Sequence, residues 1–192
     1  MLLLGVSGSL RRGSHNRMLL YAAAAGLPAA ITMRVFDGLA EIPPYSEDEN
    51  APAAVQRLRA ALAGADGLLF ATPEYNGSVP GQLKNALDWA SRPFPDNALR
   101  GRPAVVVGAS TGLFGAVWAQ AELRKVLRTA GADVLDDELP LGMADGAFAA
   151  DGSLADPDQA AALRRVVDRL LLHAGGPVGA GSRDLGRDLS RD

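Results

Sequence analysis

The chain contains no cysteine in its 192 residues and only two histidines. Without cysteine there is no disulfide framework, no thiolate nucleophile and no cysteine-based zinc or iron-sulfur site, and two histidines far apart in sequence do not make an ordinary metal cluster. Redox chemistry in such a chain has to come from an organic cofactor, and no metal site is expected. A large excess of charge of one sign is missing too. With 19 Lys and Arg against 22 Asp and Glu, the formal net charge is -3, and the basic residues are scattered rather than striped, so nucleic acid is not an expected partner. The apolar opening at 1–6 lacks a charged leader and runs at once into Gly-Ser. It reads as neither a signal peptide nor a membrane span, and a soluble, cytoplasmic setting without a membrane partner is expected.

What is present is an alternation. Hydrophobic residues at 48% and charged residues at 21% are ordinary for a globular chain of one-domain size. Unbroken apolar runs of strand length fall at 2–6, 31–36, 67–71, 104–108 and 132–135, as in strands covered on both faces. Between them lie helix-length segments at 16–25, 53–63, 81–91, 116–129 and 157–173, with apolar residues recurring at three and four. Asp156-Pro157 supplies an N-cap followed by proline at the first helical position. The pattern predicts an α/β three-layer sandwich: a five-stranded parallel sheet with helices on both faces and the flavodoxin-like strand order 2-1-3-4-5. The domain is expected over 1–174. The Gly-rich and then Arg-Asp-rich stretch at 175–192 is expected to be a disordered tail, although its Arg-Asp-Leu echo also has the look of a docking element.

In such a sheet ligands sit beyond the carboxyl ends of the strands. After the first strand comes Gly8-Ser9-Leu10-Arg11-Arg12-Gly13-Ser14-His15-Asn16, then a helix. Open backbone N-H groups and the helix dipole favour an anion there, Ser9 and Ser14 offer hydroxyls, Asn16 an amide and Arg11 a charged fork. A plainer reading keeps Ser14 or Asn16 as a helix cap and the arginines in solvent. The glycines at 5, 8 and 13 do not fit G-x-G-x-x-G, and Ser14 stands where a Walker loop needs lysine, so a single phosphomonoester fits better than a dinucleotide or a triphosphate. After the third strand, Pro73-Glu74-Tyr75-Asn76-Gly77 offers an aromatic face, an amide and approachable backbone to a flat heteroaromatic ring, while Asn76-Gly77 also reads as a plain turn. After the fourth, the segment 108–115, with Ser110, Gly112 and Gly115, offers further backbone donors or a local cap.

Taken together, Gly8-Ser9-Leu10-Arg11 with Gly13-Ser14 and Asn16, and Pro73-Glu74-Tyr75-Asn76 with Ser78, Pro80-Gly81, Leu83-Lys84-Asn85-Ala86 and Asp88-Trp89, resemble the NADPH-dependent FMN reductase family, in particular its chromate and quinone reductase-like members. The resemblance covers about residues 1–173. It implies non-covalent FMN, its phosphate in the loop at 9–16 and its ring against 73–77 and 110–115, with NADPH or NADH as electron donor and a small-molecule acceptor such as a quinone, free flavin, azo compound or chromate. It also implies a homodimer or homotetramer, for which Trp89, Phe94 and Trp118 are candidate contacts if they are not core. His15 and Arg12 are candidates for a nicotinamide phosphate. No side chain is assigned a catalytic role, because the cofactor carries the chemistry. One departure stands out: many chromate reductase-like members look like Gly-Gly-x-Arg where this chain has Gly115-Ala116-Val117-Trp118. An FMN-binding electron carrier or redox sensor without nicotinamide turnover, and a fold relative that has lost flavin, are the competing readings.

Overall fold

The computed structural model describes residues 1–175, so all but the first residue of the expected tail lies outside the described residues. The strands β1 (Leu2–Ser7), β2 (Thr32–Phe36), β3 (Gly67–Thr72), β4 (Pro103–Ala109) and β5 (Asp133–Val134) pair in parallel in the order β2-β1-β3-β4-β5. The helices are α1 (His15–Ala25), α2 (Ala53–Ala63), α3 (Gly81–Ala90), α4 (Val117–Thr129) and α5 (Pro157–His173). Two of these helices start at a side-chain cap. The Ser14 hydroxyl accepts the Arg17 N-H at 3.2 Å, and Asp156 accepts the Asp158 N-H at 2.8 Å just ahead of α5.

Alternate strand residues face opposite layers. Leu4, Val6, Leu68, Phe70 and Val106 pack with leucines of α2, α3 and α4, whereas Leu3, Leu69, Val105 and Val107 pack with those of α1 and α5. Each such side chain removed from water stabilises the fold by about 1.5–3 kcal/mol before entropy is set against it. Trp89 belongs to the first of these layers and is a core residue of the single chain, not a subunit contact. Phe94 and Trp118 are exposed.

Two features differ from the pattern read in the sequence. The strand β2 is not covered on both faces: Thr32 and Arg34 are exposed, because it is an edge strand with one neighbour. The fifth strand is split. β5 pairs with the start of β4, and a further piece, β6 (Pro140–Leu141), pairs with its end through Gly108↔Pro140 and Ala109↔Leu141. Between the pieces, Asp136, Asp137 and Glu138 leave the sheet to meet Arg128, Arg169 and Arg124 at 2.5, 3.0 and 2.7 Å. The break blunts the edge against pairing with another chain. It also sets residues 140–143 beside the loop that follows β4.

The second half of the long motif is scaffold. Gln82 Nε2 donates to the Leu39 and Ile42 carbonyls at 2.7 and 2.8 Å. Asn85 accepts the Tyr45 N-H at 2.7 Å and donates to the Pro43 carbonyl at 2.8 Å, to which Trp89 Nε1 also donates at 2.9 Å. One face of α3 therefore holds the segment at 39–45, and with it the connection from β2 to α2. No helix among the described residues is long and apolar enough to cross a membrane.

Candidate cofactor site

Three loops leave the carboxyl ends of the adjacent strands β1, β3 and β4, and direct bonds hold them together. In the first, the Gly8 N-H donates to the Ala71 carbonyl at 2.8 Å. A side chain at Gly8 would meet Leu83 Cδ2 at 2.9 Å and Pro73 Cδ at 3.3 Å, so glycine is what lets this loop lie on the base of the second. Asn16, 2% exposed, accepts the Ala109 N-H at 2.9 Å and donates to the Ala109 carbonyl at 2.9 Å. It is a strut between the first loop and the third, with one amide hydrogen left over.

Ser9 and Ser14 are buried, at 6% and 2% exposure, and each hydroxyl accepts a backbone N-H, from Arg11 at 3.4 Å and from Arg17 at 3.2 Å. Neither hydroxyl donates among the described residues, so both retain a proton to give. The Met18 N-H goes to the Ser14 carbonyl. With Arg17 also satisfied, the N-H groups of His15 and Asn16 are the open donors of the helix start. Arg11 is exposed and folds back to the Gly13 carbonyl at 2.9 Å, with its other guanidinium donors facing outward. Among the described residues, its chain neighbours aside, no atom lies within 4 Å of where a Gly13 side chain would begin. The His15 ring turns elsewhere: it stacks on Phe148 at 6.1 Å and stands 3.5 Å from Asp145.

In the second loop, Tyr75 and Ser78 exchange backbone bonds of 3.1 and 3.2 Å around Asn76 and Gly77, whose φ angles of 53° and 75° give a two-residue hairpin turn. The Tyr75 backbone is thereby spent within the loop, and its ring is half exposed. Two carboxylates clasp this hairpin to α4. Glu74 Oε2 accepts the Ala119 N-H at 3.1 Å in the first turn of α4, and Glu122 Oε2 accepts from the Ser78 hydroxyl at 2.7 Å and the Val79 N-H at 3.1 Å. The Ser78 hydroxyl, and after it the Val79 N-H, holds the Glu122 carboxyl below its ordinary pKa.

The third loop is fastened from the other side. The Ser110 N-H donates to Leu141 at 3.0 Å, the Met143 N-H to Gly112 at 3.0 Å and the Ala144 N-H to Ser110 at 3.1 Å. Gly115 has φ +57°, and a side chain there would fall 2.3 Å from the Pro140 carbonyl carbon. The buried Gln120 donates to the Gly115 carbonyl at 2.9 Å. Ser110 accepts the Gly112 N-H at 3.1 Å, a local turn within the loop.

The family model for NADPH-dependent FMN reductases matches residues 1–146. The chain belongs to that family. An NAD(P)H-dependent FMN reductase of Pseudomonas aeruginosa is 46% identical over 157 residues, covering 80% of this chain and 84% of the relative. A quinone reductase of Escherichia coli K12 is 42% identical over 124 residues, covering 62% of this chain and 65% of the relative. Among solved structures, the flavoenzyme FerB of Paracoccus denitrificans, an NAD(P)H:(acceptor) oxidoreductase, superposes with a TM-score of 0.83 at 34% identity, covering 91% of this chain and 97% of the other. This reductase is an FMN-dependent NAD(P)H oxidoreductase with a flavodoxin-like fold.

A hollow of about 450 Å³ borders the third loop of the reductase, lined by Thr111, Gly142, Met143 and Asp156 among others. A cavity of about 500 Å³ lies elsewhere, between α1 and α5, lined by Tyr21, Leu27, Leu154 and Val167, and no residue of the three loops lines it. The donors of the first loop suit a phosphomonoester: buried hydroxyls with unspent protons, open N-H groups, an adjacent guanidinium and room in front of Gly13. Sequence reasoning overlooked Glu122 and the outward side chains of Leu113, Phe114 and Met143. For Leu113 and Phe114 the available signal was a pair of large apolar residues inside a Gly-rich loop. Nothing local marked Glu122, whose partners lie 43 and 44 positions away.

Proposed function

We propose that this reductase carries electrons from NAD(P)H to a small acceptor of the quinone type, with FMN seated on the three loops. In this reading the FMN phosphate takes the hydroxyls of Ser9 and Ser14, the N-H groups of His15 and Asn16, and Arg11. Gly13 gives it room. Pro73, Glu74, Tyr75, Asn76 and Gly77 flank one side of the ring, and Ser110, Gly112 and Gly115 bring backbone donors to its pyrimidine end. When bound, FMN supplies two-electron transfer between nicotinamide and acceptor. The chain's own part is to bind and orient. Asn16 holds the phosphate loop against β4, and Glu74 and Glu122 fix the hairpin against α4. The observation that carries the reading is the pair of buried serine hydroxyls whose protons have no acceptor among the described residues, beside an open helix start.

The same proposal includes one FMN-binding domain over 1–174, a cytoplasmic setting and a homodimer or homotetramer. Phe94, 73% exposed beside a hollow lined by Leu87 and Val126, supports an association surface. The test is an anaerobic absorbance titration of the FMN-loaded protein with NADPH and then NADH. The flavin band should bleach in proportion to the nicotinamide added and return when a quinone follows. FMN that binds but stays oxidised with both nicotinamides would replace the reductase with an electron carrier or redox sensor.

A further inference from the structure

Large apolar side chains are exposed at nine of the described residues, and six of these, Leu10, Tyr75, Leu113, Phe114, Trp118 and Met143, stand on the site loops, on the first turn of α4 or beside the third loop. Singly exposed apolar residues are ordinary, but a cluster at one edge marks a binding surface. Four of the six belong to the third loop, to the segment bonded to it or to the first turn of α4. Leu113, Phe114, Trp118 and Met143 are 71, 60, 55 and 65% exposed. Their backbone is held firmly: the Met143 N-H is bonded to Gly112, and a side chain at Gly142 would meet the Leu113 carbonyl oxygen at 2.2 Å. The Phe114 and Trp118 rings meet edge to face, 5.2 Å apart at 67°.

Charge is distributed as unevenly as polarity. The segments 109–118 and 139–148 contain a single carboxylate, Asp145, with His15 3.5 Å away, and no lysine or arginine. The nearby Glu74 carboxylate is engaged by the Ala119 N-H. The loop cations, Arg11 and Arg12, belong to the first loop. An anionic acceptor on the third-loop side would lose hydration without gaining a cation from either segment, whereas a flat uncharged ring would gain apolar burial and aromatic contact.

We propose that Leu113, Phe114, Trp118 and Met143 form the acceptor rim of the reductase and select uncharged planar acceptors, such as unsubstituted quinones, over anionic ones, chromate included. The inference rests on the reductase reading above. In the net reaction NAD(P)H, one proton and a quinone give NAD(P)+ and the hydroquinone, with two electrons passing from donor to acceptor. Trp118 and Phe114 take no part in the bond changes and act by seating the ring.

The experiment compares kcat/KM of the FMN-loaded enzyme for 1,4-naphthoquinone, its 2-sulfonate and chromate, with Trp118→Ala and Trp118→Arg alongside, and measures the mass of each protein in solution. The neutral quinone should exceed both anions by about tenfold or more. Trp118→Ala should lower its kcat/KM about three- to tenfold, mainly through KM, and Trp118→Arg should raise the sulfonate relative to the neutral quinone. Anions used as efficiently as the neutral quinone, or a Trp118→Ala loss equal for all three acceptors, would overturn the proposal. A Trp118→Ala loss accompanied by a fall in mass would also overturn it, making the rim a contact between copies. Failure of the parent reading is seen separately, as wild-type FMN that NAD(P)H does not bleach before any acceptor is added.

Discussion

The loops after β1 and β4 share one sheet edge and are joined by the Asn16 strut, yet they are built in opposite ways. The first is mainly polar: Ser9 and Ser14 are buried, and Arg11 and Arg12 are its outward charges, with Leu10 its one exposed large apolar side chain. The third is apolar and outward, with a rigid glycine-based frame that presents Leu113 and Phe114 to solvent. A ligand that stays needs preorganised donors whose desolvation has already been met by folding, whereas one that comes and goes needs an open surface with little to desolvate. The contrast matches a resident phosphate on one side and an exchanging acceptor on the other.

The third loop is most sensitive at Gly115. Gly115→Val places a side chain against the Pro140–Leu141 backbone at a positive φ, and should cost about 4 kcal/mol or more of stability in urea denaturation, with loss of the third loop's protection in hydrogen exchange. Next comes the strut. Asn16→Ala leaves the Ala109 N-H and carbonyl unpaired in a buried place and should cost about 2–3 kcal/mol, weakening FMN binding as the first loop loses its register. An Asn16→Ala variant with wild-type stability would remove the joint between the loops.

The smallest effect belongs to the hairpin clasp. The folded-state pKa of Glu122 lies below its unfolded value, so its contribution is present above the unfolded pKa and is lost as pH falls through the folded one. Because the carboxylate is exposed, that contribution is about 0.5 kcal/mol. Thermal midpoints measured from neutral to acid pH should show Glu122→Ala below wild type at neutral pH, converging with it at the acid end. A gap that stays constant down to the lowest pH would show that ionisation of Glu122 is irrelevant to the clasp.

How much of this was legible in the sequence follows the range of the interactions. The buried runs of β1, β3 and β4 and the Ser14 and Asp156 caps are local, and their bounds lie within about two residues of the pattern. The break between β5 and β6 depends on arginines in α4 and α5, so an unbroken strand with an acidic follow-on was the only local reading. In the site, the donor-rich composition of the first loop was visible. The employment of Asn16 by Ala109, 93 positions away, and of Glu74 by Ala119, 45 positions away, was not. Asn85 stood out only as part of the long motif and Trp89 as a candidate subunit contact or core residue, whereas both hold the segment at 39–45.

The division of the edge is tested most directly by titrating FMN and riboflavin, which differ only in the phosphate, into the apoprotein of wild type, Arg11→Ala and Trp118→Ala. Wild type should prefer FMN, and Arg11→Ala should lose about 1.5–3 kcal/mol of that preference while binding riboflavin as before. Trp118→Ala should keep the wild-type preference. A preference for FMN untouched by Arg11→Ala, or one that falls with Trp118→Ala instead, would contradict a phosphate on the first loop and an acceptor on the third.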